Sequence, residues 1–120
     1  MKEFTVKRSS WLRGEGSKNS ALLRDDGKQC CLGFIAEQCG VDRSRLTRTY
    51  PSRLEFSDQK LLPECFYEVE NDIISDIKDD SQLVRSAASI NDDSSIEDVE
   101  RERNLVKLFL KHDITLKFVD

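Results

Sequence analysis

The stretch GKQCCLGFIAEQCG, residues 27–40, decides how the middle of this chain is interpreted. Cys31, Ile35 and Cys39 recur at every fourth residue, which is the spacing of one face of an α-helix. Gly40 stands where a glycine at the C′ position commonly ends a helix. The pattern therefore predicts a buried helix over about residues 30–39, preceded by a turn at residues 25–28.

Alternating apolar residues indicate a short strand at each end of the chain. Phe4 and Val6 share one face near the N-terminus, and Ile114, Leu116 and Phe118 alternate with polar neighbours near the C-terminus. Because two isolated short strands each need a partner, we expect these two to pair with each other. The sequence thus predicts an α+β fold for a single domain, residues 1–120, with a short, mainly antiparallel sheet packed with three to four helices.

Further helices are predicted C-terminal to the central one. Ser94 and Glu97 fit a capping box that starts the clearest helix, with an apolar stripe of Ile96, Val99, Arg103, Val106 and Leu110 that Leu105 and Phe109 widen. Shorter or less regular patterns indicate a strand at residues 21–24, a helix at 42–49 capped by Asp42, a helix at 64–78 and a helix at 83–90.

Composition favours a soluble globular protein. The 120 residues carry a net charge of −4, with Lys/Arg and Asp/Glu mixed along the chain. No apolar run approaches the roughly 18–20 residues that a membrane span needs, and the N-terminus has no apolar leader segment. We therefore expect a protein of the cytosol with free thiols.

Charge is distributed unevenly between the two halves of the chain. Residues 1–60 hold twelve Lys/Arg and eight Asp/Glu, whereas residues 61–120 hold seven and fifteen. Such asymmetry can mark a surface for a charged partner, or simply two differently solvated faces. The acidic residues singled out as partner-binding are Asp92, Asp93, Asp98 and Glu102.

Three motifs resemble a group of small bacteriophage and prophage proteins. They are WLRG at residues 11–14, GKQCCLGF at residues 27–34, whose Cys-Cys-Leu-Gly block is the most specific, and IND at residues 90–92 ahead of an amphipathic helix. The resemblance implies a phage-like origin and no particular chemistry. Small phage proteins often act by occupying a host or defence protein, so the leading prediction is a non-enzymatic protein that binds and modulates such a partner.

The cysteine pair admits a catalytic alternative. A Cys at a helix N-terminus has a lowered pKa, so Cys30 or Cys31 could act as a nucleophile in a hydrolase or transferase. His112 is the one histidine available as its base, oriented by Asp113 or by residues 91–92.

Packing is the simpler interpretation of the same pair, because a free Cys packs as a small hydrophobe and Gly33 lets another element approach closely. The cysteine spacings match no structural zinc pattern, so neither a metal site nor a cofactor is predicted.

A second alternative is nucleic-acid binding through the basic segment that holds Arg43, Arg45, Arg48 and Arg53. Tyr50 within this segment could stack on a base. The acidic net charge of the whole chain weighs against this function.

Overall fold

The computed structural model describes residues 2–14, 21–49, 54–63, 66 and 83–120. Along this part of the chain the elements are β1 (Lys2–Lys7), a 3-10 turn (Arg8–Ser10), α1 (Cys31–Gln38), α2 (Arg43–Leu46), α3 (Phe56–Gln59), α4 (Leu83–Asp92), α5 (Asp98–Leu110) and β2 (Ile114–Val119). The helix expected over residues 64–78 falls almost wholly outside the described residues.

The sheet corrects the predicted fold class. β1 and β2 pair with each other, but they run parallel, with Phe4 opposite Leu116 and Val6 opposite Phe118. Antiparallel strands can be joined by a tight turn, whereas parallel strands need a crossover, and here every helix lies between the two strands. The expectation of an antiparallel sheet was therefore wrong. In the described part of the chain, five helices rather than three or four accompany this two-stranded sheet.

The central helix α1 lies close to its expected position. It ends at Gln38, and Gly40 has φ +104, the left-handed conformation predicted for C′. Its residues 31–36 are all buried, and it packs on β1 and α4. At Gly33 a Cβ atom would overlap the carbonyl oxygen of Leu22, so only glycine allows the segment before the helix to lie directly on it. The close approach expected at Gly33 is confirmed.

Two predicted elements, the helix at residues 42–49 and the strand at residues 21–24, are shorter than expected. α2 is a single turn, and Oδ1 of its N-cap Asp42 accepts a hydrogen bond from the Ser44 backbone N–H at 2.9 Å. In place of a strand at residues 21–24, Leu23 forms one isolated parallel bridge with Thr47.

Helix α5 begins later and faces differently than the sequence indicates. Its N-cap is Glu97, not Ser94, and the carboxylate of Asp93 instead accepts hydrogen bonds from the backbone N–H and hydroxyl of Ser95. The residues that α5 buries are Arg101, Leu105 and Phe109. The centre of the predicted stripe faces outward, since Val99 is 68% exposed and Leu110 is 48% exposed, whereas Leu105 and Phe109, expected to widen it, are buried.

Candidate functional site

The side chain of Asn91 joins the three motifs at one buried point. Its Oδ1 accepts hydrogen bonds from the indole N–H of Trp11 at 2.7 Å and from the backbone N–H of Cys31 at 3.1 Å. Its Nδ2 donates to the carbonyl oxygen of Leu12 at 2.9 Å and to the carboxylate of Asp92 at 3.1 Å. We call this arrangement, formed by Trp11, Leu12, Cys31, Asn91 and Asp92, the Asn91 junction.

The Asn91 junction also caps the central helix. The first backbone N–H groups of a helix have no partner within it, and Ser, Thr, Asp or Asn at the N-cap usually supplies one. Cys30 occupies the N-cap of α1 and makes no such side-chain hydrogen bond. Asn91, sixty residues further along the chain, accepts from Cys31 instead. The backbone N–H of Gly14 donates to the carbonyl oxygen of Asn91 at 2.8 Å, which attaches the end of WLRG as well.

The two thiols lie in surroundings that suppress their reactivity. Cys30 and Cys31 are both buried. Burial raises the pKa of Cys30 to about 12, and the nearby charge of Asp92 adds to this effect. Burial also raises the pKa of Cys31, together with the charges of Cys30 and Asp92. Desolvation can shift a pKa by several units, more than the first turn of a helix lowers it, so the thiolate expected at the helix N-terminus is disfavoured.

His112 lies in the turn between α5 and β2, half-buried, with its backbone N–H donating to the carbonyl oxygen of Phe109 at 2.9 Å. Within the described ranges no hydrogen bond connects its imidazole to Cys30 or Cys31. Asn91 is engaged at the junction. The structure therefore offers no assembled nucleophile, base and orienting group at these positions.

The four acidic residues proposed for partner binding are engaged within the chain. Asp92 is buried beside Asn91, and Asp93 forms the turn with Ser95. Asp98 forms an ion pair with Arg13 at 2.9 Å and a second with the buried Arg101. Both carboxylate oxygens of Glu102 accept from Arg8, at 2.8 and 2.9 Å.

These contacts lower the carboxyl pKa values of Asp93 and Asp98. The hydrogen bond from Arg13 is the largest cause of the lowered pKa of Asp98, and the side-chain hydrogen bond from Ser95 is the largest for Asp93. The carboxylates thus serve to hold the N-terminal segment and the α4–α5 loop against α5.

The arginines of the basic segment are likewise paired with acidic neighbours. Arg43 bonds Glu37 at 3.0 Å, and Arg45 bonds Asp58 at 2.7 Å. Arg48 bonds Asp25 at 3.1 Å, and Arg53 and Tyr50 lie outside the described residues. A phosphate would have to displace these carboxylates, so the geometry gives little support to nucleic-acid binding.

An open groove follows the edge of β1 that faces away from β2. At Thr5 this edge is closed by Gln38, whose side-chain amide donates to the Thr5 carbonyl oxygen at 2.7 Å and accepts from its N–H at 3.0 Å. Alternate residues of a strand direct their N–H and C=O groups to the same edge, so those of Glu3 face outward beside Thr5. Outside the β1–β2 ladder, neither group of Glu3 hydrogen-bonds to another described residue.

The groove itself has a volume of about 540 Å³. Beside the backbone of Glu3 and Phe4, its walls come from Cys39 at the end of α1 and from residues 61–63 after α3. Leu61 is 50% exposed there. We call it the β1-edge groove; sequence reasoning missed it because its walls come from three distant segments. Gln38, a polar residue at the end of α1, was the one local sequence signal that could have indicated this groove.

The described part of the chain shows neither a metal site nor a membrane-spanning helix. The described residues contain no group of three or more His, Cys, Asp or Glu side chains placed to hold a metal ion. None of the helices in those ranges combines the length and the apolar character needed to cross a membrane.

Comparison with known proteins found no matching family model, no similar curated protein and no similar solved structure.

Proposed function

We propose that the protein is a non-enzymatic binding protein that docks on another protein through the β1-edge groove. Its partner would be a host or anti-phage defence protein in the bacterial cytosol, as the resemblance to phage proteins implies. The observation that carries the proposal is the free strand edge at Glu3 beside the exposed Leu61.

An extended segment of the partner fits this groove chemically. A strand edge offers backbone donors and acceptors that a second strand satisfies, while adjacent pockets take alternate side chains. Gln38 already fills one position of the edge with an amide, which is the chemistry that a partner backbone would continue at Glu3. An apolar side chain of the partner would pack on Leu61 and Leu62.

The groove is a better candidate than the acidic residues named above. Asp98 and Glu102 are already neutralised by Arg13, Arg101 and Arg8, so a basic partner would have to break these ion pairs. No comparable cost applies at Glu3, whose outward backbone groups lack a partner among the described residues.

The test is affinity capture of the tagged protein from a bacterial lysate, with each bound protein identified and its stoichiometry measured. Two variants damage the groove. Leu61→Asp places a charge on its apolar wall. Glu3→Pro removes an outward N–H and leaves the backbone hydrogen bonds of the β1–β2 ladder, although it also removes the exposed ion pair between Glu3 and Lys117 on β2. Val119→Asp is the matched control, because Val119 is also an exposed apolar residue but lies on β2. Circular dichroism checks that each variant folds.

We expect one stoichiometric partner that is retained by the Val119→Asp variant and lost with both groove variants. Retention by all variants would exclude the groove as the docking surface. If no protein is captured from lysates of the host, the proposed function is wrong.

A further inference from the structure

Helix α5 carries a second apolar stripe that the described part of the chain leaves exposed. Val99, Arg103, Val106 and Leu110 follow one another at spacings of four, three and four residues along its outer side. Val99 and Leu110 are among the most exposed large apolar side chains of the described residues, and Val106 is half-buried. This spacing is that of a helix-pairing seam.

The outer stripe is separate from the stripe that α5 uses for the core. Leu105 and Phe109 are fully buried on the inner side, where α5 packs against α4 and β2. On a helix with 3.6 residues per turn, the centres of the two stripes lie about 110° apart, so the outer stripe occupies a different flank of the helix from the buried one. The outer stripe is therefore surplus to the folding of one chain.

We propose that a second copy of this chain covers the outer stripe, with the two α5 helices packed antiparallel about a two-fold axis. In this register Val99 lies opposite Leu110 of the partner subunit, and Arg103 lies opposite Val106 of the partner subunit. The apolar stem of Arg103 covers the valine while its guanidinium reaches solvent.

The charges beside the seam favour a second copy of the chain as the partner and an antiparallel orientation of the two helices. Glu100 and Lys107 are exposed and flank the seam on the same side. In the antiparallel register, Glu100 of each chain lies opposite Lys107 of the partner subunit, which forms two complementary pairs. In a parallel pair this flank of one helix would face the other flank of its partner, so Glu100 and Lys107 could not form these pairs.

Among the other charges, the two Arg103 side chains lie in adjacent layers beside the two-fold axis and repel each other weakly, whereas the nearby acidic residues are already paired. Glu102, on the opposite flank, is already bound by Arg8, and Asp98 by Arg13 and Arg101. Antiparallel helices also bring the positive end of one helix dipole near the negative end of the other.

The dimer should be weak. α5 has thirteen residues, so its seam is about 20 Å long and buries less than the roughly 1,600 Å² of a standard interface. We expect dissociation in the micromolar range, and a measurement at low ionic strength keeps the flanking charge pairs effective.

Sedimentation velocity over a range of protein concentrations tests the proposal through a charge swap. Glu100→Lys and Lys107→Glu each place like charges opposite each other, and each should weaken dimerisation about tenfold. An equimolar mixture of the two single variants, or the double variant, restores complementary charges and should restore dimerisation. Val99→Asp should abolish it, while Leu61→Asp in the β1-edge groove leaves it unchanged.

A wild-type protein that stays monomeric at several hundred micromolar would overturn the proposal. So would a dimer that persists in the Val99→Asp variant, or single charge variants whose dimerisation is not rescued by mixing. Loss of the dimer leaves the partner capture by the groove unaffected, so the two proposals fail separately.

Discussion

The N-terminal segment is attached to the C-terminal helices in two different ways. Inside the molecule, Asn91 holds Trp11, Leu12 and Cys31 through hydrogen bonds that are closed to water. At the surface, Asp98 and Glu102 hold Arg13 and Arg8 through ion pairs. Arg13 also lies over the ring of Trp11, with its guanidinium carbon 4.8 Å from the ring centre, so the two regions touch.

The comparison separates contacts that specify the fold from contacts that merely support it. A buried polar group that loses its partner cannot turn to water, so removing Asn91 leaves unsatisfied donors behind. Exposed ion pairs exchange protein contacts for water at small net cost. Cys30, Cys31 and Asn91, which the sequence suggests as catalytic groups, lie in the buried region whose contacts specify the fold.

The largest effect is expected at Gly33, which lies next to the Asn91 junction on α1. In a Gly33→Ala variant the new methyl group overlaps the Leu22 carbonyl oxygen, which is backbone and cannot move aside cheaply. We expect a loss of unfolding free energy of more than ~3 kcal/mol, measured by urea denaturation. Gly27→Ala is a comparison without any steric overlap: a Cβ there meets nothing within 4 Å, so its cost should be limited to the roughly 1–2 kcal/mol of placing alanine at φ +91. Equal stabilities of the two variants would contradict the close approach.

The next effect tests the Asn91 junction itself. Asn91→Ala removes the acceptor of the Trp11 indole N–H and of the Cys31 backbone N–H, so we expect a loss of about 3 kcal/mol. Asn104→Ala on the half-exposed side of α5 is the matched control and should change stability by less than about 0.5 kcal/mol. A similar small loss for both variants would show that the junction does not hold the fold.

The smallest effect is expected for the surface ion pairs, and it depends on pH. The pKa of Asp98 lies below its ordinary value of 3.8, chiefly because of the hydrogen bond from Arg13. A carboxyl group whose pKa is lowered by folding stabilises the protein above its unfolded pKa. This stabilisation is lost as the pH falls through its folded pKa.

At neutral pH we therefore expect Asp98→Asn to cost at most about 1 kcal/mol, since the side chain is half-exposed and screened by water. The difference from the wild type should begin to shrink near pH 4, where the unfolded carboxyl titrates, and should vanish only when the pH falls below the lowered pKa of the folded Asp98 carboxyl. Urea denaturation of both proteins at pH 7 and pH 3 measures this. A difference that stays constant with pH would argue that the carboxylate charge has no role.

Local signals predicted local structure well. Gly40 and Asp42 mark the end of α1 and the start of α2 because glycine and aspartate act on their immediate backbone neighbours. The direction of β2 could not be read in this way, because it depends on how the helices between the strands cross over. The inner face of α5 was misassigned because this helix has two apolar stripes, and periodicity alone does not say which one meets the core.

The candidate site was less predictable than the fold. The motifs at residues 11–14, 27–34 and 90–92 drew attention to the right residues, but their shared contact at Asn91 arises only when three distant segments meet. The raised thiol pKa values follow from burial, which sequence does not specify at a helix N-terminus. Leu61 in the β1-edge groove carried no signal beyond its hydrophobicity.

Site-resolved thiol modification of the native protein at pH 7 tests whether Cys30 and Cys31 are buried core thiols that are disfavoured as thiolates. Peptide mapping by mass spectrometry would follow each cysteine separately. We expect the half-buried Cys39 to react before Cys30 and Cys31, which should react only as fast as the protein unfolds, so that urea accelerates their modification. Rapid modification of Cys30 or Cys31 in the folded protein, at the rate of an exposed low-pKa thiolate, would contradict this expectation.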